Sequence, residues 1–150
     1  MRCALIAVIF SIVVAGCGGG VAGEAHFEDV TTRELPIRVR ITHVVGDWAT
    51  IAVFAEVVAP GAEWVTLDAA LPRSGVGASS GPVRRTSDGI VQLERGADWF
   101  RPGLCEDAVC LFDLVLRLDA PPAAPWRASI FVTVEGDTEG PATIEIVPIS

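Results

Sequence analysis

The chain of 150 residues contains no lysine and no tyrosine, and its only histidines are His26 and His43. It therefore has no lysine nucleophile and no tyrosine acid, and a serine-histidine-acid triad would have to use one of these two histidines. The sequence also lacks G-x-S-x-G, a P-loop, H-E-x-x-H and an EF-hand loop. These absences favour a protein that is not an enzyme and needs no cofactor, with a hydrolase as the last of the alternatives.

Positive charge is scarce. All 11 basic residues are arginines, against 19 aspartates and glutamates, and the net charge is −8. Such a chain repels nucleic-acid phosphates and has no basic stripe to offset the repulsion, so nucleic acid is excluded as a partner. It also gains nothing from anionic lipid headgroups. Any hold on a membrane must therefore come from an apolar group.

Long hydrophobic runs are absent except near the N-terminus, where residues 4–15 follow the short positive segment Met1-Arg2. About a dozen apolar residues are too few to span a bilayer core, which needs about 20. A run of this length after a positive start is typical of the h-region of a signal peptide.

The run ends in the four residues Val14-Ala15-Gly16-Cys17. This sequence resembles the lipobox of bacterial lipoproteins. The resemblance implies that the Cys17 thiol receives a diacylglyceryl group, that residues 1–16 are removed as a signal peptide, and that the new amino group is acylated. Two or three acyl chains hold a protein firmly on a membrane. Where a sorting rule applies, Gly18 in place of aspartate favours the outer membrane of the cell envelope over the inner.

Two other interpretations of the N-terminus stay open. An ordinary signal peptide would be cut further on, near Ala22 to Ala25, and Cys17 would be discarded; alternatively, the segment would remain as an uncleaved anchor. Under the lipoprotein interpretation, residues 17–34 are the lipidated cysteine and a flexible tether with a reach of roughly 20–25 Å. Residues 35–150 are then the folded domain.

Cysteine is scarce in the expected mature chain, where only Cys105 and Cys110 follow Cys17. In an oxidising compartment this pair is expected to form a structural disulfide. Closing so short a loop is worth about 2 kcal/mol in the chain-entropy model. A redox or metal pair is the alternative, but the spacing is C-x₄-C rather than C-x-x-C, and no histidine lies nearby in sequence.

Apolar and polar residues alternate with a period of two from Ile37 to the C-terminus, and no segment after Cys17 has a helical period. Turns are predicted at Gly46-Asp47, at Asp88-Gly89 and over residues 136–141. The predicted strands cover residues 37–42, 48–58, 65–71, 83–86, 90–94, 110–118, 128–134 and 142–146. Seven or eight short strands predict an all-β fold, an antiparallel two-sheet β-sandwich of Greek-key or immunoglobulin-like type.

The similarity to immunoglobulin domains is architectural only. Trp64 is a candidate for their buried tryptophan, but Cys105 and Cys110 are too close in sequence to form their inter-sheet disulfide. Architecture of this kind does not determine function.

Two groups of residues are candidate sites. Trp99, Phe100 and Arg101 lie in a segment, residues 97–107, that is predicted to be irregular, and they have the composition of a binding hot spot; the alternative is that the two aromatic rings cap the core. Asp137 and Glu139 are weak candidates for a calcium site built from loop carboxylates; the alternative is that these charges keep the loops solvated.

The sequence favours a non-enzymatic binding or structural module, held on the membrane by lipid, with an unknown envelope protein or ligand as its partner. A small ligand-binding or calcium-binding envelope protein is the alternative.

Overall fold

The computed structural model describes residues 7–12, 20–70, 79–80 and 90–149. In these residues every strand pairing is antiparallel, and the only helix is a short 3-10 turn. The strands are β1 (Ala7–Ile12), β2 (Gly20–Val30), β3 (Glu34–Val58), β4 (Val65–Ala70), β5 (Ser79–Ser80), β6 (Ile90–Phe100), β7 (Val109–Leu118) and β8 (Trp126–Pro148), and the 3-10 turn is Pro102–Leu104. The predicted all-β antiparallel fold is confirmed.

Two long strands, β3 and β8, pair with each other along most of their lengths and bend together. Residues 34–42 of β3 lie between β7 and residues 143–148 of β8, which gives sheet I the order β5-β4-β7-β3-β8. Residues 49–58 of β3 lie between β6 and residues 127–135 of β8, which gives sheet II the order β1-β2-β8-β3-β6. The sandwich is therefore one continuous sheet folded over at the bend.

We call this bend, residues 43–49 of β3 with residues 136–142 of β8, the corner. The pairing of the two strands shifts register there, as expected of β-bulges that carry a strand from one sheet to another. Gly46 and Gly140 have φ values of 98° and 79°, which glycine adopts without steric cost. The turns predicted at Gly46-Asp47 and over residues 136–141 were expected to end strands. That prediction is wrong, because β3 and β8 both continue through the bend.

The core lies between the sheets and is built from alternate residues of each strand. Ile37, Ile41 and Leu116 from sheet I and Ile130 and Val132 from sheet II are almost completely buried. Burying an aliphatic side chain of this size contributes about 1.5–3 kcal/mol to folding. This alternation of buried and exposed residues matches the period of two in the sequence from which the strands were predicted.

The predicted flexible tether is wrong from Gly20 onward. Residues 20–30 form β2, which pairs with β8 and buries Val21, Ala25 and Phe27. A β-carbon on Gly23 would lie 3.0 Å from the Cβ of Ile144, so glycine allows the two sheets to approach closely there. The first residues of β2 include several glycines and alanines, which is the composition of a linker. Because such small residues show little contrast between apolar and polar positions, the sequence did not predict a strand there. Cys17 lies outside the described residues.

The buried tryptophan is Trp126 and not Trp64. Trp126 is 2% exposed and donates a hydrogen bond from Nε1 to the carbonyl oxygen of Thr32, at 2.8 Å. Trp64 is 44% exposed just before β4. The predicted strand over residues 83–86 and the turn at Asp88-Gly89 lie outside the described residues.

Arg117 joins three strands on the outer face of sheet I. It donates hydrogen bonds to Glu34 on β3, at 2.7 Å, and to Asp68 on β4, at 3.0 Å. These contacts raise the pKa of the Arg117 guanidinium, with the bond to Glu34 as the largest cause. The group therefore stays charged at every ordinary pH. Among the described residues, no helix is long and apolar enough to cross a membrane.

Candidate functional site

A cluster of exposed side chains lies at the corner of the sandwich. Trp48 and Trp99 are each 55% exposed, and their rings meet edge to face with centroids 5.6 Å apart. The guanidinium carbon of Arg101 lies 5.3 Å from the centroid of the Trp48 ring. Leu104, also exposed, ends the adjoining 3-10 turn. We call Trp48, Trp99, Arg101 and Leu104 the aromatic patch.

Strand alternation separates the three residues of the predicted binding loop. β6 continues to Phe100, so the prediction of an irregular segment from residue 97 is wrong for its first four residues. Because neighbouring side chains on a strand point to opposite faces, Phe100 enters the core, with 1% exposure, while Trp99 faces outward. Arg101 is exposed at the start of the 3-10 turn. Trp99 and Arg101 are thus able to contact a partner, whereas Phe100 is not.

Trp48 is the residue of this cluster that the sequence did not single out. It lies in the corner, where the register shift between Val45 and Thr50 turns its side chain outward beside Trp99. The only signal in the sequence is a large aromatic residue directly after the turn-forming pair Gly46-Asp47. Nothing in that pattern indicates its neighbour on β6.

A cross-linked hairpin supports the patch. Cys105 and Cys110 form the predicted disulfide across the turn that joins Glu106 to Val109. The carbonyl oxygen of Ala108, inside this turn, accepts a hydrogen bond from the backbone N–H of His43 in the corner, at 3.0 Å. The chain that carries Arg101 and Leu104 is therefore fixed to the corner at its C-terminal side as well as by β6.

The same end of the sandwich is rich in carboxylates. Asp47 adjoins Trp48, Asp137 pairs with Val45 across the corner, and Asp107 lies in the cross-linked turn. All three are exposed. Arg101 is thus a cation on an aromatic surface in otherwise acidic surroundings, so a strongly anionic partner is disfavoured.

The structure does not bring the calcium candidates into a site. Asp137 and Glu139 both lie within β8. In the described part of the chain, no group of three or more histidine, cysteine, aspartate or glutamate side chains is placed to hold a metal ion.

Glu24, His26 and Ser129 meet on the outer face of sheet II. Nδ1 of His26 lies 2.8 Å from Oγ of Ser129, and Nε2 lies 2.9 Å from Oε2 of Glu24. The residue types are those of a catalytic triad. The group could not be recognised in the sequence, because His26 lies in the segment that was predicted to be a tether. Acyl transfer also needs free N–H donors for the oxyanion. Ser129 lies on a strand paired with His26 on one side and Glu56 on the other, so the ladder occupies its backbone. The side-chain contacts of the group join β2 to β8.

The chain is only distantly similar to solved structures. No protein-family model matches the chain, and no curated protein matches it. The chain is similar to TmCBM61, solved in complex with β-1,4-galactotriose, with 12% identity over 97% of this chain and 81% of the other and a TM-score of 0.31. It is also similar to the N-terminal cellulose-binding domain of Cellulomonas fimi β-1,4-glucanase C, with 13% identity over 89% and 90% of the chains and a TM-score of 0.30. Similarity this distant assigns no ligand to the present chain.

Proposed function

We propose that this protein is a cell-envelope lipoprotein, anchored through lipid on Cys17, whose β-sandwich is a non-enzymatic binding module with the aromatic patch as its contact surface. The observation that carries the proposal is the exposure of two tryptophans that touch each other beside an arginine. Tryptophan and arginine contribute most of the binding energy at many protein surfaces. Clustered exposed aromatic residues indicate a surface that is covered when the protein acts.

The position of β1 is compatible with removal of a signal peptide. Among the described residues, β1 lies at the edge of sheet II and pairs with β2 alone. Cleavage before Cys17 would remove β1 and leave the pairing of β2, β8, β3 and β6 unchanged. The outer membrane is the favoured location, because Gly18 and not aspartate follows Cys17.

Mass spectrometry of protein purified from membranes tests the anchor. We expect a mature chain that begins at Cys17 and carries a diacylglyceryl group and an additional acyl chain. The control is Cys17→Ser, which removes the acceptor thiol and should leave the chain unlipidated. An unmodified N-terminus downstream of Cys17 would contradict the proposal.

Binding by the patch is tested with the double variant Trp48→Ala/Trp99→Ala. The matched control is Trp64→Ala, which removes an exposed tryptophan from the other end of the sandwich. We expect the double variant to keep the wild-type unfolding midpoint in urea. As purified protein immobilised in detergent, it should capture less envelope material than the wild type, while the control matches the wild type in both measurements. A double variant that unfolds would show instead that the two rings belong to the core.

A further inference from the structure

We infer that the partner of the aromatic patch is the interfacial layer of the membrane itself. The sandwich lies with its corner against the bilayer that holds the lipid of Cys17, and Trp48, Trp99 and Leu104 enter the headgroup region. This inference rests on the lipid anchor of the proposed function and adds the orientation of the domain and the identity of its partner.

The chain between the anchor and the sandwich is short. β2 begins at Gly20, three residues after Cys17. Three residues span at most about 10 Å, even when fully extended. The end of the sandwich that carries Gly20 is thus held within about 10 Å of the lipidated residue, and the long tether predicted from the sequence does not exist to lift it away.

The aromatic patch lies at that same end. In sheet II, Gly20 pairs with Glu135, Glu135 with Thr50, and Thr50 with Trp99. Neighbouring strands are about 4.8 Å apart, so the backbone of Trp99 lies about 14 Å from that of Gly20. Trp48 contacts Trp99 and shares this position.

Trp64 lies at the opposite end. Its carbonyl oxygen accepts a hydrogen bond from the N–H of Asp119, beyond the end of β7 that pairs with Glu34. Thr42, near the corner, is eight residues along β3 from Glu34, or about 26 Å at the rise of a strand. Trp64 is therefore too far from the corner to reach the same membrane surface.

The chemistry of the patch suits a bilayer interface. Tryptophan is enriched where membrane meets water, since its ring is apolar and its N–H is polar. Arginine extends an apolar stem while its charge stays among the headgroups. A span of at most about 10 Å between Cys17 and the Gly20 end of the sandwich leaves little room for a macromolecular ligand, whereas the headgroup layer is within reach.

The neighbouring carboxylates decide which lipids fit best. Asp47, Asp107 and Asp137 lie at this end of the sandwich and would meet an anionic surface with like charge. We therefore expect zwitterionic headgroups to be preferred. Added anionic lipid should weaken contact at low salt, and salt should restore it by screening the repulsion.

The test uses the full lipidated protein in phosphatidylcholine vesicles whose acyl chains carry bromine, which quenches nearby tryptophan fluorescence. The variants are Trp48→Phe/Trp99→Phe and, as the control, Trp64→Phe. We expect strong quenching in the wild type and the control and its loss in the double variant. Replacing part of the phosphatidylcholine by phosphatidylglycerol with the same brominated acyl chains should reduce the wild-type quenching.

Mass spectrometry of each sample separates the two proposals. If Cys17 carries lipid but bromine does not quench the wild type, or quenches the double variant equally, the membrane contact is wrong and the lipoprotein proposal stands. If a soluble polysaccharide or envelope protein instead shifts the emission of Trp48 and Trp99, the patch is a ligand site and the membrane contact is again wrong. If Cys17 carries no lipid, both proposals fail.

Discussion

At the scale of single residues, Trp126 shows how one side chain joins distant segments. Its indole is buried at the start of β8 and donates a hydrogen bond to Thr32, in the connection between β2 and β3. Trp64 is as large but lies outside the core, where only its backbone bonds to Asp119. The two tryptophans thus allow a direct comparison of a buried and an exposed indole.

Trp126→Phe should destabilise the protein by about 2 kcal/mol. The change leaves the carbonyl of Thr32 without its donor and opens a small space in the core. Trp64→Phe should change stability by less than about 0.5 kcal/mol, as is usual on a surface. Urea unfolding measures both, and equal effects would contradict the role of Trp126.

Ala108→Gly should stabilise the protein by about 0.5–1 kcal/mol. Ala108 has a φ of 60° and Asp107 a φ of 54°, so the cross-linked turn holds a residue with a β-carbon in the left-handed region. Relief of this strain, about 1–2 kcal/mol, exceeds the entropic cost of glycine.

The control for this prediction is Ala124→Gly, in an exposed loop with no positive φ. There the unfolded chain gains freedom and no strain is relieved, so stability should fall slightly. Thermal unfolding checks both variants, and a lower melting temperature for Ala108→Gly would show that the turn is not strained.

At the scale of elements, the corner decides the architecture. Because β3 and β8 bend together, one ribbon supplies the centre of both sheets. The bend depends on close contact of its strands at Gly136, where an added β-carbon would lie 2.9 Å from the Cβ of Ala49. Distances this short require the backbone to move.

Gly136→Ala should therefore destabilise the protein by about 1–3 kcal/mol through overpacking. Gly103→Ala is the matched control, because the nearest atom to its added β-carbon would be the carbonyl oxygen of Gly46, at 3.9 Å. Unfolding in urea should separate the two variants. A neutral Gly136→Ala would mean that the corner is loosely packed.

At the scale of the whole molecule, the domain begins earlier than the sequence suggests. β2 pairs with β8 in sheet II, and its inward side chains pack in the common core. The folded unit therefore includes residues 20–34, which the sequence assigns to a tether. This change in the boundary is what brings the corner close to Cys17.

Phe27→Ala tests the new boundary. Phe27 is buried, and truncating a buried phenylalanine costs about 3–5 kcal/mol. Its neighbour Glu28 is exposed, so Glu28→Ala should be nearly neutral. If urea unfolding shows both variants to be neutral, residues 20–34 do not belong to the core.

Local patterns in the sequence were enough for the fold class. A period of two places side chains alternately on two faces, so it predicts strands such as residues 110–118 and 128–134 without knowledge of their partners. The Cys105–Cys110 pair was predictable for the same reason, since five residues along the chain bring the two cysteines together. Each of these inferences depends on neighbours in sequence.

Tertiary structure alone decided which strands share a sheet, that β3 and β8 pass through both, and that Trp48 meets Trp99. These features depend on the pairing of segments that are far apart in the chain. The free energy of that pairing comes from side-chain packing, which cannot be inferred from the local period of the sequence. β2 shows the limit most clearly, because its alternate glycines and alanines match a linker in composition. Only their contact with the opposite sheet shows that small residues are needed there.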